Sequence, residues 1–221
     1  MIRVMPSSNP SDEKELVSYA KELQSIGVDF LHCDVMDGKF VPAKCLPIEL
    51  IREVSLNTLL GLDIHLMIEN PLKTLEQYCK LRANFITLHY ESFENSKDLL
   101  KAIDMIKAKK ILVGLSIKPS TDVSKISAYL PLIDMVLVMS VEPGKSGQQF
   151  MPMALEKIKQ LKRLIDKNRL KVKIEVDGGI NEETAKAVVF AGADYLVMGN
   201  AFFKSKNRKK LLKEIQSLSR D

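Results

Sequence analysis

Two histidines and two aspartates of this chain stand where they could meet. They belong to four short segments that end in polar residues: Leu31-His32-Cys33-Asp34-Val35-Met36-Asp37-Gly38, Asp63-Ile64-His65-Leu66-Met67, Val138-Met139-Ser140-Val141-Glu142-Pro143-Gly144 and Glu175-Val176-Asp177-Gly178-Gly179. Each reads as an apolar strand running into a turn. Side chains alternate faces along a strand, so His32, Asp34 and Met36 point one way, Leu31, Cys33 and Val35 the other. By the same rule His65 shares a face with Met67. If the four strands converge, His32, Asp34, His65 and Asp177 come together beside Met36, Met67 and Met139. Two imidazoles with two carboxylates suit one divalent ion of zinc, iron, manganese or cobalt; magnesium and calcium prefer all-oxygen shells. Taken singly, each of the four is as readily a satisfied core histidine or a loop-capping aspartate. Four together at predicted strand ends read as a metal site with two acid/base groups. The methionines are flexible and polarizable, and would line a dry wall against a planar, electron-rich intermediate.

Glycine marks the other half of the site. Pro143-Gly144-Lys145-Ser146-Gly147, Gly178-Gly179 and Gly199-Asn200 follow the sixth, seventh and eighth predicted strands. Glycine lets backbone N–H groups approach an anion closely, and a helix N-terminus favours negative charge. One such loop would be an ordinary turn; three on neighbouring strands point to a phosphate grip.

The elements that must position these residues alternate along the chain. Apolar, β-branched runs lie near residues 2–6, 28–35, 59–67, 85–89, 111–117, 135–141, 172–176 and 195–198. Helical patterns separate them. The first carries Leu16, Tyr19, Ala20, Leu23 and Ile26, with Asp12 and Glu15 as the expected N-cap pair and Gly27 as the stop. The sixth carries Leu155, Ile158, Leu161, Leu164 and Ile165. The seventh opens on Asn181 with Glu182 and Glu183 in its first turn, and the last shows Leu211, Leu212, Ile215 and Leu218. Eight strands and eight helices in strict alternation, with no linker, predict a parallel sheet closed into a (β/α)8 TIM barrel, residues 1–221 forming a single α/β domain. An open doubly wound sheet is the alternative, disfavoured because eight equal units leave no obvious edge strand or switch point. A barrel carries its chemistry at the C-terminal strand ends, where these polar residues fall.

Composition is consistent with an ordinary globular enzyme. The chain has 221 residues, 46% hydrophobic and 28% charged, with a formal charge of +5. That balance favours a small anionic partner and falls short of a nucleic-acid signature. The basic run Lys204, Lys206, Arg208, Lys209 and Lys210 is expected to solvate the start of the last helix. Three cysteines, Cys33, Cys45 and Cys79, show no metal or redox spacing, which fits a reducing cytoplasm. The start is too soon broken by Pro6 to act as a secretory leader, and no apolar run reaches membrane-spanning length. A soluble cytoplasmic protein with no membrane partner is expected.

Taken with Lys39-Phe40-Val41-Pro42, Ile68-Glu69-Asn70-Pro71, Gly147-Gln148, Ile180-Asn181 and Pro6-Ser7, these segments resemble the ribulose-phosphate 3-epimerase family over essentially the whole chain. The resemblance implies interconversion of D-ribulose 5-phosphate and D-xylulose 5-phosphate in the pentose phosphate pathway. It implies that His32, Asp34, His65 and Asp177 bind one divalent ion, and that Asp34 and Asp177 are the paired acid and base. Ser7 would contact substrate, and the Gly144–Gly147, Gly178–Gly179 and Gly199–Asn200 loops would hold the phosphate. The family commonly forms homo-oligomers, dimers or larger. Departures from its pattern are Lys145-Ser146, Ala43, Ser8-Asn9-Pro10 and Asn200. They bear on affinity and keep a related activity open, 3-epimerisation of allulose 6-phosphate. A non-catalytic sugar-phosphate sensor would have lost a ligand or a carboxylate, and none is lost.

Overall fold

The computed structural model describes residues 2–9 and 11–220; Met1, Pro10 and Asp221, each within a stretch discussed above, lie outside the described residues. Strands β1 (Arg3–Pro6), β2 (Phe30–Asp37), β4 (Gly61–Met67), β5 (Phe85–His89), β6 (Leu112–Ile117), β7 (Met135–Met139), β8 (Lys173–Asp177) and β9 (Tyr195–Met198) run parallel in the order β1-β9-β8-β7-β6-β5-β4-β2. A single parallel bridge, Ser7 with His32, joins β1 to β2, and the Ser8 N–H donates to the His32 carbonyl at 2.8 Å. The sheet thereby curls round on itself as the expected TIM barrel. A ninth strand that the apolar runs did not announce, β3 (Lys44–Cys45), pairs antiparallel with the end of β2. Two residues of mixed polarity carry no periodic signal.

Helices α1 (Leu16–Ser25), α2 (Ile48–Asn57), α3 (Leu75–Cys79), α4 (Ser96–Lys107), α5 (Met153–Lys167), α6 (Glu182–Ala191), α7 (Asn200–Phe203) and α8 (Arg208–Gln216) cover the sheet. Strict strand–helix alternation fails where β3 follows β2 directly, where α7 and α8 both follow β9, and between β6 and β7. Between β6 and β7 the chain makes two 3-10 segments, Val123–Lys125 and Ser127–Leu132. Pro131 inside the second lacks the N–H that an α-helix would need there.

The outward faces of the strands and the inner faces of the helices form one large apolar layer, including Leu31, Cys33 and Val35 as strand alternation requires. The barrel interior is different. Met5, Phe85, Met135 and Val197 form an apolar cluster there, with Phe30 and Tyr195 packed against it. One or two residues further along the strands, the inward positions turn polar: His32, Asp63, Thr87 and Glu175 are all fully buried.

Local signals succeed or fail according to their hydrogen bonds. At the start of α6, the Asn181 side chain accepts from the Glu183 and Thr184 N–H groups at 2.9 and 3.0 Å. The Thr184 hydroxyl accepts from the Asn181 N–H at 2.9 Å, completing a capping box. Asn181→Ala should lower stability by about 1 kcal/mol, read as a fall in Tm of about 2–4 °C. An unchanged Tm would show that the cap contributes nothing. The Asp12–Glu15 cap expected for α1 does not form. Asp12 instead accepts from the Lys14 N–H at 2.9 Å in a preceding turn, and Glu15, the residue before the helix, makes no side-chain cap. Gly27 ends that helix as expected, at φ +93°.

The basic run is less uniform than its charge implies. Lys204, Lys206, Lys209 and Lys210 are exposed. Arg208 is partly buried over the Tyr19 and Phe203 rings and pairs with Glu22 at 2.5 Å. Its guanidinium stacks on aromatic faces as well as carrying charge. The three cysteines are free. Among the described residues no helix is long and apolar enough to cross a membrane.

Candidate active site

Pairing of β2 with β4 sets His32 opposite Asp63, Asp34 opposite His65 and Met36 opposite Met67. Acid and imidazole therefore alternate across two neighbouring strands. From β8, Asp177 projects beside Met139 of β7. Round the closed barrel, β8 and β2 are separated by β9 and β1. Curvature brings them together: one ligand atom from each of His32, Asp34, His65 and Asp177 lies within 4.8 Å of all the others. Asp34 Oδ1 is 3.3 Å from both His32 Nε2 and His65 Nδ1. The Ser7 hydroxyl donates to Asp34 Oδ2 at 2.7 Å.

His32 tests whether these residues suit a divalent ion. Its Nδ1 is 2.6 Å from Asp63 Oδ2, while Nε2, fully buried, makes no hydrogen bond. Leaving a buried polar atom without a partner costs about 1–3 kcal/mol. A metal at Nε2 would supply that partner, and the Asp63 contact would hold the proton on the other nitrogen. The donor set of two nitrogens and two carboxylates, converging at the cavity floor, fits a divalent ion.

The two site carboxylates are biased in opposite directions. Burial alone would raise Asp34, but the charge of His32, then the His32 and His65 ring nitrogens that face its Oδ1 at 3.3 Å, outweigh it. They hold the carboxyl well below the usual range. Burial, then the negative charge of Asp34, pushes Asp177 up to about 7. The protein's own groups thus bias one carboxylate toward the ionised form and the other toward the protonated form.

Groups that strand-end spacing did not single out join the site from beneath. Asp63 backs His32, and Glu175 Oε1 lies 3.7 Å from the same nitrogen. Burial, reinforced by Asp63, raises the Glu175 carboxyl well above its ordinary value. His89 Nε2 lies 2.9 Å from His65 Nε2, and His89 Nδ1 lies 3.1 Å from Glu91 Oε2. The signal for Asp63 and Glu175 was available, since each stands two residues before an expected ligand on the same strand face. His89 is the last of three histidines and also closes a strand.

Above these groups opens a cavity of about 500 Å³. Asp34, Asp177, Ser7 and the expected Met36, Met67 and Met139 line its floor and walls, while His32 and His65 lie fully buried below it. The three glycine loops form the rim, with Gly144, Lys145, Ser146, Gly147, Gly178, Gly179, Gly199 and Asn200 all on the cavity. Lys145, Ser146 and Gly147 are exposed, and the Gln148 amide ties their loop by donating to the Glu142 and Lys145 carbonyls at 2.6 and 2.9 Å. Gly179 has φ +63°, and a Cβ there would stand 2.5 Å from the Phe150 nitrogen. Asn200 Nδ2 would lie 2.7 Å from a Cβ at Gly147, so its amide faces that loop. Ala43 packs beside the buried Met36, Val41 and Met67. Ser8 is buried, and its Oγ accepts from the Asp34 N–H at 3.3 Å.

Known proteins resemble this chain in sequence and in fold. The model of the ribulose-phosphate 3 epimerase family matches residues 3–203. Ribulose-phosphate 3-epimerase of Bacillus subtilis (strain 168) is 39% identical over 217 residues, covering 98% of this chain and 99% of its own. The protein of the same description from Chlamydia muridarum is 38% identical over 205 residues, covering 92% and 89%. Among solved structures, N-acetylmannosamine-6-phosphate 2-epimerase of Clostridium perfringens aligns with a TM-score of 0.64 at 17% identity, over 90% of this chain and 86% of that one. Mycobacterium tuberculosis tryptophan synthase aligns at 0.65 and 13% identity, over 97% and 90%. Those two likenesses concern the barrel alone. With full-length identity to curated epimerases at this level, the chain belongs to the ribulose-phosphate 3-epimerase family and is an isomerase of sugar phosphates.

Proposed function

We propose that the chain interconverts D-ribulose 5-phosphate and D-xylulose 5-phosphate by moving the C3 proton between two carboxylates. The observation that carries this reading is the pair Asp34 and Asp177, which reach one cavity from different strands. Inverting a carbon beside a ketone requires taking its proton from one face and returning one to the other. Two carboxylates on different sides of a fixed substrate do this without turning it over. Asp34 and Asp177 are the two proton carriers, and Ser7, bonded to Asp34, orients that carboxylate and contacts the sugar. Met36, Met67 and Met139 exclude water from the developing planar enediolate. Backbone N–H groups of the Gly144–Gly147, Gly178–Gly179 and Gly199–Asn200 loops hold the phosphate, so that binding at the far end aligns C3.

His32, Asp34, His65 and Asp177 hold one divalent ion of zinc, iron, manganese or cobalt. When bound, that ion supplies Lewis-acid stabilisation of the negative charge developing on the substrate's oxygens. The family resemblance extends the reading to a cytoplasmic homo-oligomer of two or more chains, formed from residues 1–221 as one domain. A second substrate, allulose 6-phosphate, stays open through the departures from the family pattern at Lys145 on the cavity rim and Ala43 in the adjoining cluster.

The test is a coupled assay for xylulose 5-phosphate, run on protein stripped with chelator and resupplied with single metals. Activity should vanish on stripping and return with at least one of the four ions. Full activity in the metal-free protein would overturn the ligand assignment. Faster turnover of allulose 6-phosphate than of ribulose 5-phosphate would transfer the reading to the hexulose.

A further inference from the structure

Behind His65 runs a chain of polar groups, buried at His89 and half-buried at Glu91, that does not line the cavity. His89 closes β5, and the next residues, Tyr90–Ser92, make a 3-10 turn that carries Glu91. The His65 and His89 rings stack at 4.9 Å, with their Nε2 atoms 2.9 Å apart. His89 Nδ1 meets Glu91 Oε2 at 3.1 Å. The other Glu91 oxygen accepts from the Lys118 N–H at 2.8 Å and from the Thr121 hydroxyl at 2.5 Å. Lys157 anchors the same stretch by donating to the Lys118 and Thr121 carbonyls. Phe40 covers the open side of His89 at 4.8 Å, with Lys118 Nζ 4.0 Å above the Phe40 ring. This geometry leaves the His89 ring little freedom to turn.

We infer that Glu91, acting through His89, sets which nitrogen of His65 carries its proton and so presents His65 Nδ1 bare to the ion site. Both are positioning residues, and the inference rests on the ligand assignment proposed above. Two ring nitrogens 2.9 Å apart share one proton between neutral imidazoles, one donating and the other accepting. A carboxylate only accepts, so His89 must donate to Glu91 from Nδ1, leaving its Nε2 as an acceptor. His65 then donates from Nε2 against the competing pull of Asp34 Oδ1, an acceptor 3.3 Å from Nδ1, and its Nδ1 keeps a free lone pair for the ion. Metal ligation at Nδ1 demands that same tautomer. The far end of the chain thus imposes what the near end needs. Asp63 does the equivalent for His32 in one step; His65 needs two.

Glu91→Gln separates this role from a packing role. The glutamine carbonyl can still accept from Lys118 and Thr121, which turns its NH2 toward His89. The amide donates, so His89 accepts at Nδ1 and carries its proton on Nε2. His65 then accepts at Nε2 and is protonated on Nδ1, the nitrogen that faces the ion site. In His89→Gln, the side-chain amide can rotate to offer its oxygen to His65 Nε2, whichever residue stands at 91. His89→Leu offers no acceptor at all.

The experiment titrates chelator-stripped protein with cobalt(II), reading the dissociation constant by calorimetry and the ligand field by visible absorption. Thermal melting of each metal-free variant checks the fold. Glu91→Gln should weaken cobalt binding about 10- to 100-fold. The double variant His89→Gln/Glu91→Gln should recover most of that loss. Equal affinity and an identical cobalt spectrum in Glu91→Gln and the unaltered chain would overturn the inference while leaving the ligand set intact. So would a double variant as weak as Glu91→Gln, because the charge of Glu91 and not its direction of hydrogen bonding would then matter. If Glu91→Gln does not fold, His89→Leu against His89→Gln decides: a weakened first with a preserved second supports the relay, and equal affinities refute it. An unaltered chain that binds no cobalt would overturn the ligand assignment, and this inference with it.

Discussion

Asp34→Asn and Asp177→Asn should each lower turnover by about 10²- to 10⁴-fold, since each removes the group that moves a proton on one face of C3. Part of the loss would reflect weaker metal binding, so the coupled assay is run with metal raised until activity no longer responds. Asparagine keeps the size of the side chain, and at position 34 it can still accept the 2.7 Å bond from Ser7. The lost function is therefore proton transfer more than packing. A second readout follows from having one carrier per face. In deuterated solvent, whatever exchange at C3 survives in either variant should be confined to one of the two epimers, and the two variants should favour opposite ones. A near-normal rate in either variant would end the two-carboxylate mechanism. So would residual exchange in both epimers alike.

Gly179→Val should raise KM by about 10- to 100-fold, the loss expected when a charge-assisted hydrogen bond to phosphate is broken. Two effects combine at this position. The residue sits at φ +63°, a conformation a β-branched side chain adopts only under strain, and the new Cβ would press within 2.5 Å of the Phe150 nitrogen. Phe150 lies just beyond the loop that Gln148 ties together, so relief of the clash should displace two of the loops proposed to hold the phosphate. Asp177, two residues away, is part of the parallel pairing of β8 with β7 and β9, and kcat should suffer less than KM. Initial rates over a range of ribulose 5-phosphate separate the two parameters. A fall in kcat at unchanged KM would show that Gly179 serves the acid/base geometry and not the phosphate.

Some of the fold was legible because its signals are local. Strand alternation put Leu31, Cys33 and Val35 against the helices and His32, Asp34 and Met36 inside, as found. Asn181 capped its helix because its partners are the next few backbone N–H groups. The misses are local signals overruled by competing contacts. Asp12 had a nearer donor in Lys14, and Pro131 denied the segment before β7 an α-helical backbone. Arg208 looked like one more solvated charge until its guanidinium found the Tyr19 ring, from the other end of the chain.

The sequence by itself determined the barrel, the family and which side chains face inward, since each follows from periodicity or from motifs a few residues long. It named His32, Asp34, His65 and Asp177, but not what stands behind them. Only tertiary structure decided that His32 leans on Asp63 across a strand pair, or that His65 leans on His89 and through it on Glu91. It also decided the opposite protonation bias of Asp34 and Asp177. The physical reason is range. Hydrogen-bond direction and desolvation depend on neighbours within a few ångströms, and in a closed barrel those neighbours arrive from strands tens of residues apart.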